Sequence, residues 1–127
     1  MNKPLLEAKN LSKIYTSKRG IFAKPTEVKA VDAVSLSIQK GKTLGIVGES
    51  GSGKSTTGRL LLGLERPSTG EVRFDGGVLP PARTNEWRAL RKRMQLVYQD
   101  PLAALDRRLT IATQIEEPLL IHGIGDK

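Results

Sequence analysis

Thr43-Leu44-Gly45-Ile46-Val47-Gly48-Glu49-Ser50-Gly51-Ser52-Gly53-Lys54-Ser55 decides how this chain is read. Its last eight residues satisfy G-x-x-x-x-G-K-[ST] at every fixed position. A chance match in a chain of this length is on the order of half a percent at average residue frequencies. The first five residues form a short apolar run, which reads as a strand buried on both faces. Downstream, Leu60, Leu61 and Leu64 lay an apolar stripe on a helix over about 54–63. Five of the chain's 13 glycines fall within residues 41–53, where average usage would place about one.

This order of strand, glycine loop and helix suits phosphate. Bare backbone N–H groups must approach the phosphate oxygens, and side chains at Gly51 or Gly53 would obstruct them. The helix N-terminus adds unsatisfied donors and partial positive charge. Lys54 reaches the β- and γ-phosphates as a point charge. The Ser55 hydroxyl suits Mg²⁺, a hard cation. The bland alternative is a glycine-rich turn ahead of a helix. The loop by itself does not separate ATPase, GTPase and small-molecule kinase.

Further elements flank the loop. Residues 4–11 read as a strand. Ser17 to Lys24 is a basic loop. Val28 to Ile38 ends with Val34, Leu36 and Ile38 alternating against Ser35 and Ser37, a half-buried strand. Glu71 to Asp75 alternates in the same way. Asn85 is placed to cap a helix carrying Trp87, Leu90 and Met94. Met94 to Tyr98 reads as a strand broken by Asp100-Pro101. Thr110 is placed to cap a last helix with Ile111 and Ile115 facing inward, and Pro118 interrupts that pattern. The expected class is α/β with a mixed or parallel sheet. Two or three helices are few for such a sheet, which needs cover on both faces.

Length and composition narrow the function. The chain has 127 residues, 21 Lys and Arg against 13 Asp and Glu, a formal charge of +8, and no cysteine. A disulfide scaffold and thiolate metal sites are excluded. The longest apolar runs are a few residues, as in Leu60-Leu61-Leu62, too short for a helical membrane span. The N-terminus lacks the apolar region of a secretory signal. A cytoplasmic setting is the expectation. Basic residues gather at Arg83, Arg88, Arg91, Lys92 and Arg93, but stacking aromatics are scarce there. The cluster reads as a solvated helix face, not a specific nucleic-acid surface.

Several stretches taken together resemble the nucleotide-binding subunit of ABC transporters. They are Leu11-Ser12-Lys13-Ile14-Tyr15, Ala30-Val31-Asp32-Ala33-Val34-Ser35-Leu36, the loop through Thr56, Leu61-Leu62-Gly63-Leu64, Pro67-Ser68-Thr69-Gly70-Glu71-Val72, and Val97-Tyr98-Gln99-Asp100-Pro101. The segment from Gln99 through Asp106 to Glu117-Pro118-Leu119 resembles the oligopeptide, dipeptide and nickel importer branch, with Arg107 where that branch commonly has Pro. The resemblance implies a P-loop NTPase fold in part. Residues 1–99 would hold the β subdomain and part of the ATP-binding core, and residues 100–127 would begin the helical subdomain.

The resemblance also implies roles. ATP and Mg²⁺ would be the cofactors. Gly48, Glu49, Ser50, Gly51, Ser52, Gly53, Lys54, Ser55 and Thr56 would bind the phosphates. Tyr15 would stack on adenine, and Ser55 and Gln99 would meet Mg²⁺ or the attacking water. Without the family, Tyr15 reads as a packing residue and Gln99 as an ordinary polar strand end. The implied partners are transmembrane permease subunits and a second ATP-binding subunit, on the inner face of the cell membrane. The Leu-Ser-Gly-Gly-Gln signature, the apolar strand ending in Asp-Glu and the switch His do not occur, and His122 lacks that His's context. The expectation is therefore an N-terminal fragment, inactive alone in hydrolysis. The competing reading is a small P-loop kinase or GTPase, but no guanine-specifying Asn-Lys-x-Asp is present.

Overall fold

The computed structural model describes residues 3–18 and 20–125. Strand β1 (Leu6–Ser17) and strand β2 (Thr26–Ile38) form a long hairpin. Strand β3 (Thr69–Phe74) pairs with the other edge of β1, and the short β4 (Gly77–Val78) pairs with β3. The order is β2-β1-β3-β4 and every pairing is antiparallel. Helix α1 (Lys54–Leu61) follows the glycine loop, and α2 (Asn85–Arg91), α3 (Pro101–Ala104) and α4 (Ile111–His122) complete the chain. These elements form two compact units, one up to Trp87 and the other from Arg88.

The α/β content matches expectation, but the sheet is antiparallel, not mixed or parallel. Two expected strands carry no ladder: Thr43 to Val47, and Met94 to Tyr98. A doubly buried strand needs neighbours on both edges and cover on both faces. No strand among the described residues supplies either. Val47 is 97% exposed and Val97 91% exposed as a result.

In the hairpin, alternation survives: Val34, Leu36 and Ile38 are half-buried while Ser35 and Ser37 are exposed. Two irregularities bend it. Asn10 (φ 46°) and Ala33 (φ 47°) adopt left-handed backbone, and the register shifts between Ala8 and Leu11, between Leu11 and Lys13 and between Lys13 and Ile14. Each displaced amide finds a hydroxyl across the ladder. Asn10 N–H donates to Ser35 Oγ at 2.9 Å, and Ala33 N–H donates to Ser12 Oγ at 2.8 Å. Such pairing offsets the ladder bonds that a bulge forfeits.

Ala8, Leu11, Val31 and Val72 of the sheet meet Leu60 and Leu61 of α1 in the core. Leu11 and Leu60 are fully buried. Burial of a Leu contributes about 1.5–3 kcal/mol, so this contact seats α1 on the sheet. It also aims the helix N-terminus and the loop before it.

In the second unit, Asp100-Pro101 starts a helix instead of merely ending a strand. The Asp100 carboxylate accepts from the amides of Leu102 and Ala103, with Pro101 in the first turn of α3. Proline suits that turn because it donates no N–H there. Thr110 caps α4 as expected, accepting the Thr113 amide at 3.2 Å. Pro118 does not interrupt α4, which runs through it to His122 and closes on Gly123 (φ 61°). Ile111 and Ile115 are not turned inward, being 58% and 67% exposed. No residue of α4 is buried, so its apolar side lacks a protein surface among the described residues. Asn85 is the first helical residue of α2; its cap is Thr84, whose Oγ1 accepts the Trp87 amide at 3.2 Å.

Candidate functional site

The loop from Gly48 to Gly53 turns directly into α1. Gly53 is the N-cap, with φ 90° and no side-chain cap. Helix construction leaves the amides of Lys54, Ser55 and Thr56 without intrahelical acceptors. The next amide, of Thr57, donates to the Gly53 carbonyl at 2.8 Å, and Thr57 Oγ1 donates to it at 2.9 Å. Ser52 N–H donates to Glu49 O at 3.1 Å and tightens the loop. A Cβ at Gly53 would run into the carbonyl oxygen of Ala30. Strand β2 therefore presses directly on the loop's last glycine.

Lys54 folds its ammonium back over the loop. Nζ donates to the carbonyls of Gly48 (2.6 Å) and Glu49 (2.5 Å) and approaches Ser52 Oγ at 3.3 Å. Three donors thus meet three acceptors. Ser55 is exposed, while Thr56 is 8% exposed and buried beside Thr57. Residues 48–56 are therefore one local structure holding a cation, free-ended amides and hydroxyls. That donor set matches an anion of several oxygens, and an exposed hydroxyl suits the hard cation that accompanies it. A hollow of about 420 Å³ borders the loop at Ser52 to Lys54 and is lined by Val34, Leu36 and Leu44 to Val47.

Tyr15 lies on β1 opposite Val28, 38% exposed. Its hydroxyl donates to Glu65 Oε1 at 2.5 Å, and the Lys13 ammonium stands 5.2 Å from its ring centroid. That hydrogen bond draws the Glu65 carboxyl below the usual carboxylate value, against partial burial, and the Lys13 and Arg59 cations add to the effect. Gln99 belongs to the second unit, where it is exposed and lines a hollow with Tyr98, Asp100, Ala103 and Ala104. His122 sits in the last turn of α4.

Sequence reasoning missed Glu65, Lys13 and Arg59 as a group. Lys13 and Tyr15 each lie at least 50 positions from Glu65, and no periodicity signals such a pairing. It also missed Gln114. That side chain accepts the Asp106 amide at 2.7 Å and donates to the carbonyls of Asp106 (3.0 Å) and Leu109 (3.2 Å). No group of three His, Cys, Asp or Glu suited to a metal occurs among the described residues.

The chain has relatives among known proteins. It is 49% identical over 122 residues to the dipeptide transport ATP-binding protein DppF of Haemophilus influenzae, covering 95% of this chain and 37% of that one. It is 43% identical over 123 residues to the glutathione import ATP-binding protein GsiA of Salmonella choleraesuis, covering 96% and 20%. It therefore spans about a third or less of these relatives' length. Among solved structures, a dimeric bacterial ABC transporter cassette superposes with a TM-score of 0.74 at 30% identity, covering 96% of this chain and 50% of that one. A post-hydrolysis ATP-binding cassette bound to ADP and phosphate gives 0.73 at 29%, with the same coverage. The family model described as ABC transporter matches residues 31–124, a span that takes in β2 from Val31 onward, the glycine loop, α1 and everything through α4. The helix-capping glycine loop and this match agree, and the chain belongs to the ABC transporter family.

Proposed function

We propose that residues 48–56 hold the triphosphate of Mg-ATP in the ATP-binding subunit of an importer for peptides or related small solutes. One observation carries the reading: α1 starts on a glycine with no side-chain cap, and Lys54 arches over the same loop. The amides of Lys54, Ser55 and Thr56 would donate to phosphate oxygens, and the Lys54 ammonium would exchange its loop carbonyls for them. The exposed Ser55 hydroxyl would ligate Mg²⁺, which when bound offsets phosphate charge. Thr56 would add its hydroxyl to the phosphate site, and Tyr15 would offer a ring face to adenine. Gln99 would meet Mg²⁺ or water in hydrolysis, and residues 100–127 would begin the surface that meets the permease.

The solute class rests on the relatives, whose names refer to dipeptide transport and glutathione import. The partners in this reading are transmembrane permease subunits and a second ATP-binding subunit. No helix described here is long and apolar enough to cross a membrane, which fits peripheral attachment through those permeases. The 127 residues alone would bind nucleotide without turning it over, because no strand among the described residues ends in a carboxylate pair that could act as base and Mg²⁺ ligand.

Titration of Mg-ATP into the protein and into Lys54→Ala tests this. The expected result is binding that falls at least tenfold in the variant, with GTP no tighter than ATP. Strong preference for GTP, or equal ATP affinity in both proteins, overturns it. Turnover by the 127-residue chain that is lost in Lys54→Ala would overturn the inactivity alone.

A further inference from the structure

Glu65 lies just beyond the C-terminal end of α1 and gathers three side chains. Its Oε1 accepts the Tyr15 hydroxyl at 2.5 Å and stands 3.3 Å from Lys13 Nζ, and its Oε2 stands 3.5 Å from Arg59 Nε. Lys13 Nζ also donates to the Arg66 carbonyl at 2.7 Å. The Lys13 and Glu65 side chains are only 16% and 22% exposed. Exposed ion pairs contribute little. This carboxylate differs, because it is sheltered and accepts a short charge-assisted bond from a phenol.

The arrangement constrains Tyr15 twice. The hydroxyl is anchored, which limits swinging of the ring about its Cα–Cβ bond. The Lys13 ammonium lies over one ring face, which directs a flat ligand to the opposite one. Arg59, in the last turn of α1, grips the same carboxylate. The helix whose first turn carries Lys54 is thus tied at its other end to the ring.

We propose that Glu65 is a positioning residue for the nucleotide base, fixing the Tyr15 ring as a stacking platform and holding Lys13 on its far face. This rests on the reading of Tyr15 given above. A ring already held in place loses less freedom when a base stacks on it, so more of the stacking energy appears as affinity. The predicted signature is selective. Binding of ATP depends on Glu65, whereas binding of a baseless triphosphate does not.

Affinities for Mg-ATP and Mg-tripolyphosphate, measured by calorimetry on the intact protein and its variants, test the proposal. Glu65→Ala and Tyr15→Phe should each weaken ATP about fivefold and leave tripolyphosphate unchanged. Glu65→Gln keeps an acceptor for the hydroxyl and should recover part of the loss. Tyr15→Ala should weaken ATP at least as much, with no further loss when Glu65→Ala is added. Lys54→Ala should weaken both ligands. A Glu65→Ala variant that weakens both alike, or neither, while Tyr15→Ala is selective for ATP, overturns the role of Glu65 and leaves the platform standing. A Tyr15→Ala variant with unchanged ATP affinity removes the platform, and the role of Glu65 with it.

Discussion

The ammonium of Lys54 donates to the carbonyl oxygen of Gly48 at 2.6 Å, so the first side chain of α1 closes on the loop's first residue. The loop's two left-handed glycines separate backbone strain from steric collision. Gly51 (φ +79°) has nothing within 4 Å of an added Cβ, whereas Gly53 (φ +90°) has the Ala30 carbonyl. Gly51→Ala should cost about 1–2 kcal/mol, the left-handed penalty alone. Gly53→Ala should cost clearly more and weaken nucleotide binding. Urea unfolding of both variants checks the order.

The twin bulges differ in burial. Ser12, 8% exposed, accepts the Ala33 amide, whereas Ser35 is exposed where it accepts the Asn10 amide. Ser12→Ala should destabilise by about 1–2 kcal/mol, because a partly buried bond is lost. Ser35→Ala should cost less than half of that, since water replaces the hydroxyl. The urea midpoints of the two variants measure the difference.

Leu60 is 1% exposed against the sheet. Leu60→Ala should cost about 2–5 kcal/mol. It should also loosen α1, so that the amides of the loop exchange faster with deuterium even under conditions that keep the protein folded.

The Glu65 carboxyl titrates below the usual value, chiefly because it accepts the Tyr15 hydroxyl. A folded value below the unfolded one means that the contribution is fully present above the ordinary carboxylate value near 4.5. It is lost as pH falls through the depressed folded value. Thermal unfolding of the protein and of Glu65→Gln, compared from pH 7 down to pH 3, should show the two curves converging at the acid end. A gap independent of pH would contradict this.

Gln114 bridges the 106–110 turn to α4. Gln114→Leu leaves the Asp106 amide without its side-chain acceptor. Hydrogen exchange at Asp106 should accelerate by about tenfold or more, the equivalent of one net hydrogen bond. The loop amides near Lys54 should keep their rates.

Local signals in the sequence carried well into three dimensions. The Gly53-Lys54 junction, the alternation from Val34 to Ile38 and the Thr110 cap each depend on neighbours a few residues away, and all three are found in the structure. Features that depend on distant partners did not carry over. Thr43 to Val47 has the composition of a buried strand, yet composition cannot supply the strands that would flank it. Pro118 reads as a break because its missing N–H removes one bond, but the remaining turns and the Gly123 cap sustain α4. Glu65 is invisible in any window of sequence because its partner Tyr15 lies 50 positions away, on β1. Among the candidate site residues, the contiguous run was legible as a unit, and the surroundings of Tyr15 were not.

The carbonyl of Ala30 abutting Gly53 has a mechanical meaning. The hairpin serves as a mould against which the glycine turn is cast, so the cradle holds its curvature in advance of any guest. Wear on that mould, by a swelling side chain or a slipped rung near Val31, would be felt as blunted affinity at a place the change never touches.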